Sequence, residues 1–238
     1  MQDSYCIASP FREKKSEFLA AVFDGHGNSA FAADHGAKNL EKYLATALQN
    51  VAIPEKTIAV KNALKRSFVR ISDEALGYRG GTCALALYVA ELGNLFVANS
   101  GDCTLLLAQD GKCKLLNKIH RQDNPKEEKR VLDCGGYFSG GYAWNQNGEG
   151  LMPLRSLGDA HLKSIGVIAE PECHCRKTKI PATLLLGTDG LFDFAPEARI
   201  AEILCNNDTL EKKAGDLKKL VKDHLEPDNF TFILISLT

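Results

Sequence analysis

Asp24, Asp102 and Asp189 each follow an apolar run (EFLAAVF, NLFVANSG and ATLLLGT), Asp228 stands at the entry to the last strand, with one residue between it and FTFILISL, and Asp3 stands next to the first residues. A single aspartate after a strand is ordinarily a turn former. Five at the ends of apolar segments are harder to explain as turns, because a sheet gathers its strand ends and unneutralised carboxylates repel there. A cation resolves that cost. Clusters of carboxylates, backbone carbonyls and water suit Mg or Mn rather than zinc. Two such ions about 3.5–4 Å apart can activate a bridging water for in-line attack on phosphorus. The chemistry implied is hydrolysis of a phosphate ester. His26, two residues after Asp24, would lie at the rim as the acid that protonates a leaving alkoxide; the plainer alternative is a partly exposed turn histidine.

The elements that would position these groups follow from the apolar spacing. Residues 17–23 predict a buried strand ending on the polar turn Asp24-Gly25-His26-Gly27. Ala33, Ala37, Leu40, Tyr43, Leu44 and Ala47 recur at helical spacing, as do Val60, Leu64, Phe68, Ile71 and Ala75 after Pro54, so two amphipathic helices are expected. TCALALYVA, NLFVANS, TLLLAQ and KCKLL then predict an antiparallel meander, with turns at Gly93-Asn94 and Asp110-Gly111. Residues 125–134 read as a short helix opening on Pro125. Residues 135–150 hold six of the 20 glycines and the sole Trp, and are expected to form a mobile flap or loop. ATLLLG is a further strand, 196–224 carry two more helical patterns, and the last strand closes the chain. Without a repeat or linker, one domain over 1–238 of α+β character is expected, its antiparallel sheets covered by helices.

Composition narrows the partners. With 29 Lys+Arg against 30 Asp+Glu in 238 residues, the net charge of -1 argues against a nucleic-acid binder held by bulk charge. No apolar run reaches the roughly 18 residues of a membrane span and no signal-peptide pattern opens the chain. The eight cysteines are spread thinly enough to expect reduced thiols. The expectation is a monomer in the cytoplasm, or also the nucleus, with no membrane partner.

These residues resemble the metal-dependent Ser/Thr protein phosphatases of type 2C, the PPM family. The resemblance rests on an ordered series along the whole chain: Met1-Gln2-Asp3, Val22 to Gly27 (VFDGHG), Gly81-Thr82, Asn99 to Asp102 (NSGD), His120 with Glu127 and Arg130, Gly135-Gly136, Asn147-Gly148, Leu151 to Asp159 ending in RSLGD, Thr188 to Asp193 (TDGLFD), and Asp228 to Thr231 (DNFT). It implies a four-layer α-β-β-α sandwich of two antiparallel sheets flanked by helix pairs, and a centre of two Mg or Mn ions. Asp24 would bridge the ions, the Gly25 carbonyl would ligate one, Asp189 and Asp228 would hold one, and Asp3 would contribute nearby. Asp102 and Asp193 match acids that can hold a third, weaker ion, and His26 matches the general acid. The implied activity is hydrolysis of phosphoserine and phosphothreonine in phosphoprotein substrates.

The chain departs from that pattern at several places. Gln2 replaces the usual Glu; it keeps a carbonyl oxygen that could hold metal-bound water but loses a charge, which predicts weaker metal affinity. The family's first strand and its phosphate-binding Arg would precede Met1, and Arg12 lies too far downstream to take that role. Ile119 replaces the Asp before His120, Leu154 replaces a small residue before Arg155, and the flap lacks an Arg-Val pair. A catalytically weak or inactive pseudophosphatase serving as a protein-binding module is the alternative that these departures support.

Overall fold

A computed structural model describes residues 2–49, 57–91, 93–222 and 229–238. The chain runs β1 (Ser4–Ala8), β2 (Phe18–His26), α1 (Phe31–Ala47), α2 (Thr57–Ala75), β3 (Gly81–Glu91), β4 (Asn94–Ser100), β5 (Thr104–Gln109), β6 (Lys112–Leu115), α3 (Pro125–Asp133), β7 (Tyr137–Ser139), β8 (Tyr142–Trp144), β9 (Gly150–Leu151), β10 (Leu157–Gly158), a 3-10 turn over Ala160–Ile165, β11 (Glu172–Lys177), β12 (Ala182–Gly187), α4 (Asp189–Phe192), α5 (Glu197–Cys205), α6 (Leu210–Lys222) and β13 (Phe232–Leu237). One antiparallel sheet has the order β1-β2-β3-β4-β11, with β10 also on β3; a second has the order β13-β12-β5-β6.

The period-two pattern of the strands builds the layers. On β3, Ala84, Ala86, Tyr88 and Ala90 face α1 and α2, while Cys83, Leu85, Leu87 and Val89 face the other sheet. Small residues let the helices approach and the larger ones fill the space between sheets. The second sheet divides the same way: Leu105, Leu107, Leu184 and Leu186 point to the first sheet, and Leu106, Ala108 and Leu185 point to α5 and α6. Each buried Leu contributes about 1.5–3 kcal/mol relative to exposure. The result is the expected α-β-β-α sandwich.

Two expectations about the elements need correction. The four strands from Thr82 to Leu116 are not one meander: β3 pairs β4 and β5 pairs β6, but the two hairpins belong to different sheets. The chain crosses at Gly101, whose φ of +117° suits glycine and whose missing Cβ would lie 2.3 Å from the Cys83 sulfur. The flap is also not a loop. β7, β8 and β9 form a small antiparallel sheet, turned at Gly140-Gly141, whose φ of +60° and +83° suit the two-residue hairpin turn that needs both positive. Its strands are only two or three residues long, too short to show a period. Leu154 lies fully buried beneath this sheet with Val131, Ala143 and Ile165, which accounts for a large residue there.

Among the described residues no helix is long and apolar enough to cross a membrane. All eight cysteines are free thiols, as expected.

Candidate metal centre and active site

The acids gather at one end of the sandwich. Asp24 stands on β2, which continues through His26 rather than turning at Asp24. Asp102 follows the Gly101 crossover, and Asp189 opens α4 immediately after β12. Carboxylate oxygens of Asp24, Asp102 and Asp189 all lie within 4.8 Å of one another. Burial, followed by the charge of Asp189 and Asp102, raises the Asp24 carboxyl well above its usual range, and burial with the charge of Asp102 raises Asp189. Asp3 is buried at the start of β1, where Thr188 Oγ donates to its Oδ2 at 2.9 Å, tying the two sheets together beside the cluster.

The donor set fits a divalent cation. It offers only oxygen, burial and the mutual repulsion of its carboxylates raise Asp24 and Asp189 in the absence of a further cation, and Asp102 Oδ1 is buried with no hydrogen-bond partner. The other predicted positions are less uniform. Gly25 is buried on β2 within the cleft. Gln2 lines the same cleft, but its amide Nε2 donates to the Gly27 carbonyl at 2.7 Å. Asp228 lies outside the described residues. Arg12 sits at the opposite end of β1 and β2, where it donates to buried Glu17 and to the Leu48 carbonyl, so its role is structural.

Asp193 does reach the cluster, through a residue that the sequence reading missed. Arg121 Nη1 and Nη2 form a fork on Asp193 Oδ1 and Oδ2 (3.0 and 2.9 Å), Nη2 also reaches Asp189 Oδ2 (3.0 Å), and Nε donates to Asp102 Oδ2 (2.8 Å). One guanidinium thus spans three acids. Its partners are 19 to 72 residues away in sequence, a separation that no local pattern reveals.

His26 is held by a second missed residue. Its Nε2 lies 2.7 Å from Asp159 Oδ2, and Ser156 Oγ donates to that same oxygen at 2.6 Å. Asp159 ended a matching motif without an assigned role. It is buried and left-handed (φ +47°), a conformation tolerated by Asp and held here by these bonds. Burial alone would lower the His26 pKa, but the hydrogen bond and charge of Asp159 outweigh it and raise the value. An imidazolium stabilised this way is suited to donate a proton.

The supports of the site are equally specific. His120 is fully buried; its Nδ1 accepts from the Gly101 amide and its own amide donates to the Gly101 carbonyl, which fixes the crossover that carries Asp102. Burial, with the nearby Arg155 charge, keeps this ring neutral by lowering its pKa to about 4. Glu127 of α3 accepts a fork from Arg155 (2.8 and 2.6 Å) and a bond from Arg130 (2.6 Å), which anchors α3 under the flap.

The acids line a cleft of about 350 Å³, bounded by Tyr142 of β8 and by Leu151, Met152 and Pro153. Of the flap aromatics, Tyr142 faces this cleft, whereas Trp144 donates to the Ser139 carbonyl within the flap sheet. A neighbouring pocket of about 250 Å³ shares His26 and Leu151 and adds Arg79, Glu149 and His161. Both open beside His26.

A two-sheet sandwich with an all-oxygen acidic cleft at one end defines a candidate phosphoester-handling class. The chain belongs to the protein phosphatase 2C family, whose model matches residues 1–226. The family is metal-dependent, using Mg or Mn. The chain is 31% identical over 231 residues to probable protein phosphatase 2C 25 of Arabidopsis thaliana, covering 93% of this chain and 56% of that protein. It is 33% identical over 200 residues to probable protein phosphatase 2C 30 of the same plant, covering 81% and 50%. It therefore spans about half the length of these relatives. In fold it resembles the serine-threonine phosphatase 2C of Toxoplasma gondii (TM-score 0.82, 17% identity, covering 100% of this chain and 90% of that one). It also resembles a sex-determining protein of C. elegans (TM-score 0.81, 19% identity, 100% and 61%).

Proposed function

We propose that the chain hydrolyses phosphoserine and phosphothreonine in phosphoproteins, with two Mg or Mn ions. The observation that carries this is the convergence of Asp24, Asp102 and Asp189 beside the His26–Asp159 pair. Asp24, Asp189 and the Gly25 carbonyl would hold the ions, with Asp3 and Asp228 alongside; Gln2 would contribute through its side-chain oxygen. When bound, the ions supply Lewis acidity toward phosphoryl oxygens and an acidified water for in-line attack. His26 would give the proton on Nδ1, the ring nitrogen that Asp159 does not engage, to the departing Ser or Thr oxygen, while Asp159, paired with Nε2, stabilises the imidazolium. Tyr142 and the His161 pocket present surfaces to the residues flanking the phosphorylated one. In this reading residues 1–238 act as one phosphatase domain, a monomer working in the cytoplasm or nucleus.

The test is phosphate release from a phosphothreonine peptide with Mn, with Mg and with a chelator, beside Asp189→Asn. Metal-dependent release that the variant loses is expected; full activity in the folded variant sinks the metal assignment. A pseudophosphatase that binds protein is the second reading, favoured by the Arg121 clamp and by the bonding of Gln2 to Gly27. Silence of the folded wild type at millimolar Mn selects it.

A further inference from the structure

We propose that Arg121 is a built-in third cation of this centre, so that the cleft takes two metal ions and excludes a third. This rests on the metal-dependent reading of the cluster. The acids divide into two faces. On one face are Asp24 and the unpartnered Asp102 Oδ1, with Asp3 close by. On the other are both oxygens of Asp193, together with Asp102 Oδ2 and Asp189 Oδ2, every one of them bonded to the Arg121 guanidinium at 2.8–3.0 Å. Asp102 and Asp193 are the pair in which the resemblance expects a weaker third ion. Here they are already bridged by a group that cannot be deprotonated and whose planar fork matches a carboxylate.

The competition favours the arginine. A weakly held third ion at Asp102 and Asp193 must displace three charge-assisted hydrogen bonds and leave the guanidinium, whose side chain is only 24% exposed, without a partner. A tethered cation is also present at every metal concentration, whereas a weak ion is lost by dilution. Metal activation of this chain is accordingly a two-ion process, complete once the Asp24 face is filled. Arg121 stays fixed on Asp193 throughout, and only its contact with Asp189 is exchanged as that acid turns to metal.

The experiment counts ions: Mn bound per chain, measured by equilibrium dialysis and by electron paramagnetic resonance of free Mn, for wild type and Arg121→Met. The expected result is two ions for wild type and a third, weaker one in the variant. Three ions on the wild type overturn the proposal, as does a folded variant that remains at two. If the variant does not fold, the wild-type count decides alone. Binding of no Mn by either protein defeats both this proposal and the metal reading. Two ions bound without hydrolysis of the phosphothreonine peptide defeats the enzyme reading and leaves the role of Arg121 standing.

Discussion

Asp159→Asn isolates the acid from the rest of the site. The substitution keeps the shape and one hydrogen bond but removes the charge 2.7 Å from His26 Nε2. At an effective dielectric of about 20, opposite charges 4 Å apart attract by about 4 kcal/mol. If half of that, about 2 kcal/mol, survives as stabilisation of the imidazolium, its loss corresponds to about 30-fold in proton availability. This lies below the roughly 10²- to 10⁴-fold worth of a whole general acid. The assay compares two substrates: a phosphothreonine peptide, whose alkoxide must be protonated as it leaves, and p-nitrophenyl phosphate, whose phenolate leaves without help. The kcat of the variant should fall about 30-fold on the peptide and little on the aryl ester. The pH profile gives the sign independently. Asp159 raises the His26 pKa, so the acid form persists to higher pH in the wild type, and the alkaline decline of peptide hydrolysis should move to lower pH in the variant. Equal losses on both substrates, with an unmoved profile, would refute the pairing of His26 with Asp159 as an acid.

Glu127→Gln should destabilise the fold by about 3–5 kcal/mol in urea unfolding, because Arg155 and Arg130 are left with half of their buried clamp. The Glu127 carboxyl, opposed by burial but lowered overall by Arg155 to about 2, contributes stability that is complete above its unfolded value of 4.5 and is lost as pH falls toward 2; the variant should lack that acid limb. Gln2→Glu should tighten Mn binding in a calorimetric titration, since it restores a charge at the cleft. An unchanged titration would place residue 2 outside the metal shell.

Much of the site was legible because aspartates at strand ends are a local signal. Asp24, Asp102 and Asp189 each follow an apolar run, and a sheet must gather such ends. The helices α1, α2 and α3 also followed from spacing and from Pro125. What sequence could not reveal was pairing at a distance. Arg121 sits in a polar stretch with nothing local to mark it, and its partners come from the crossover and from α4. Asp159 is 133 residues from His26, so its role depends on β10 docking against β3. The expected meander splits at Gly101, and because both hairpins look alike in period nothing in the local pattern marked the change of sheet. The flap strands were missed for a different reason: three residues hold too few alternations to register, although the Gly140-Gly141 pair was a turn signal in view.

Because Asp24 lies on a strand of the first sheet and Asp189 directly follows the last residues of β12 in the second, the cluster straddles the seam between two layers that no strand among the described residues connects by hydrogen bonds. The spacing of its oxygens is therefore a gauge of how the layers sit on each other. Leu107 and Leu184, paired deeper in that seam and further along their strands from the acids, set the gauge through their volume. A change of one methylene there would retune the centre while leaving every ligand in place. Substitution at such interior positions would thus shift the demand for metal with every acid unchanged.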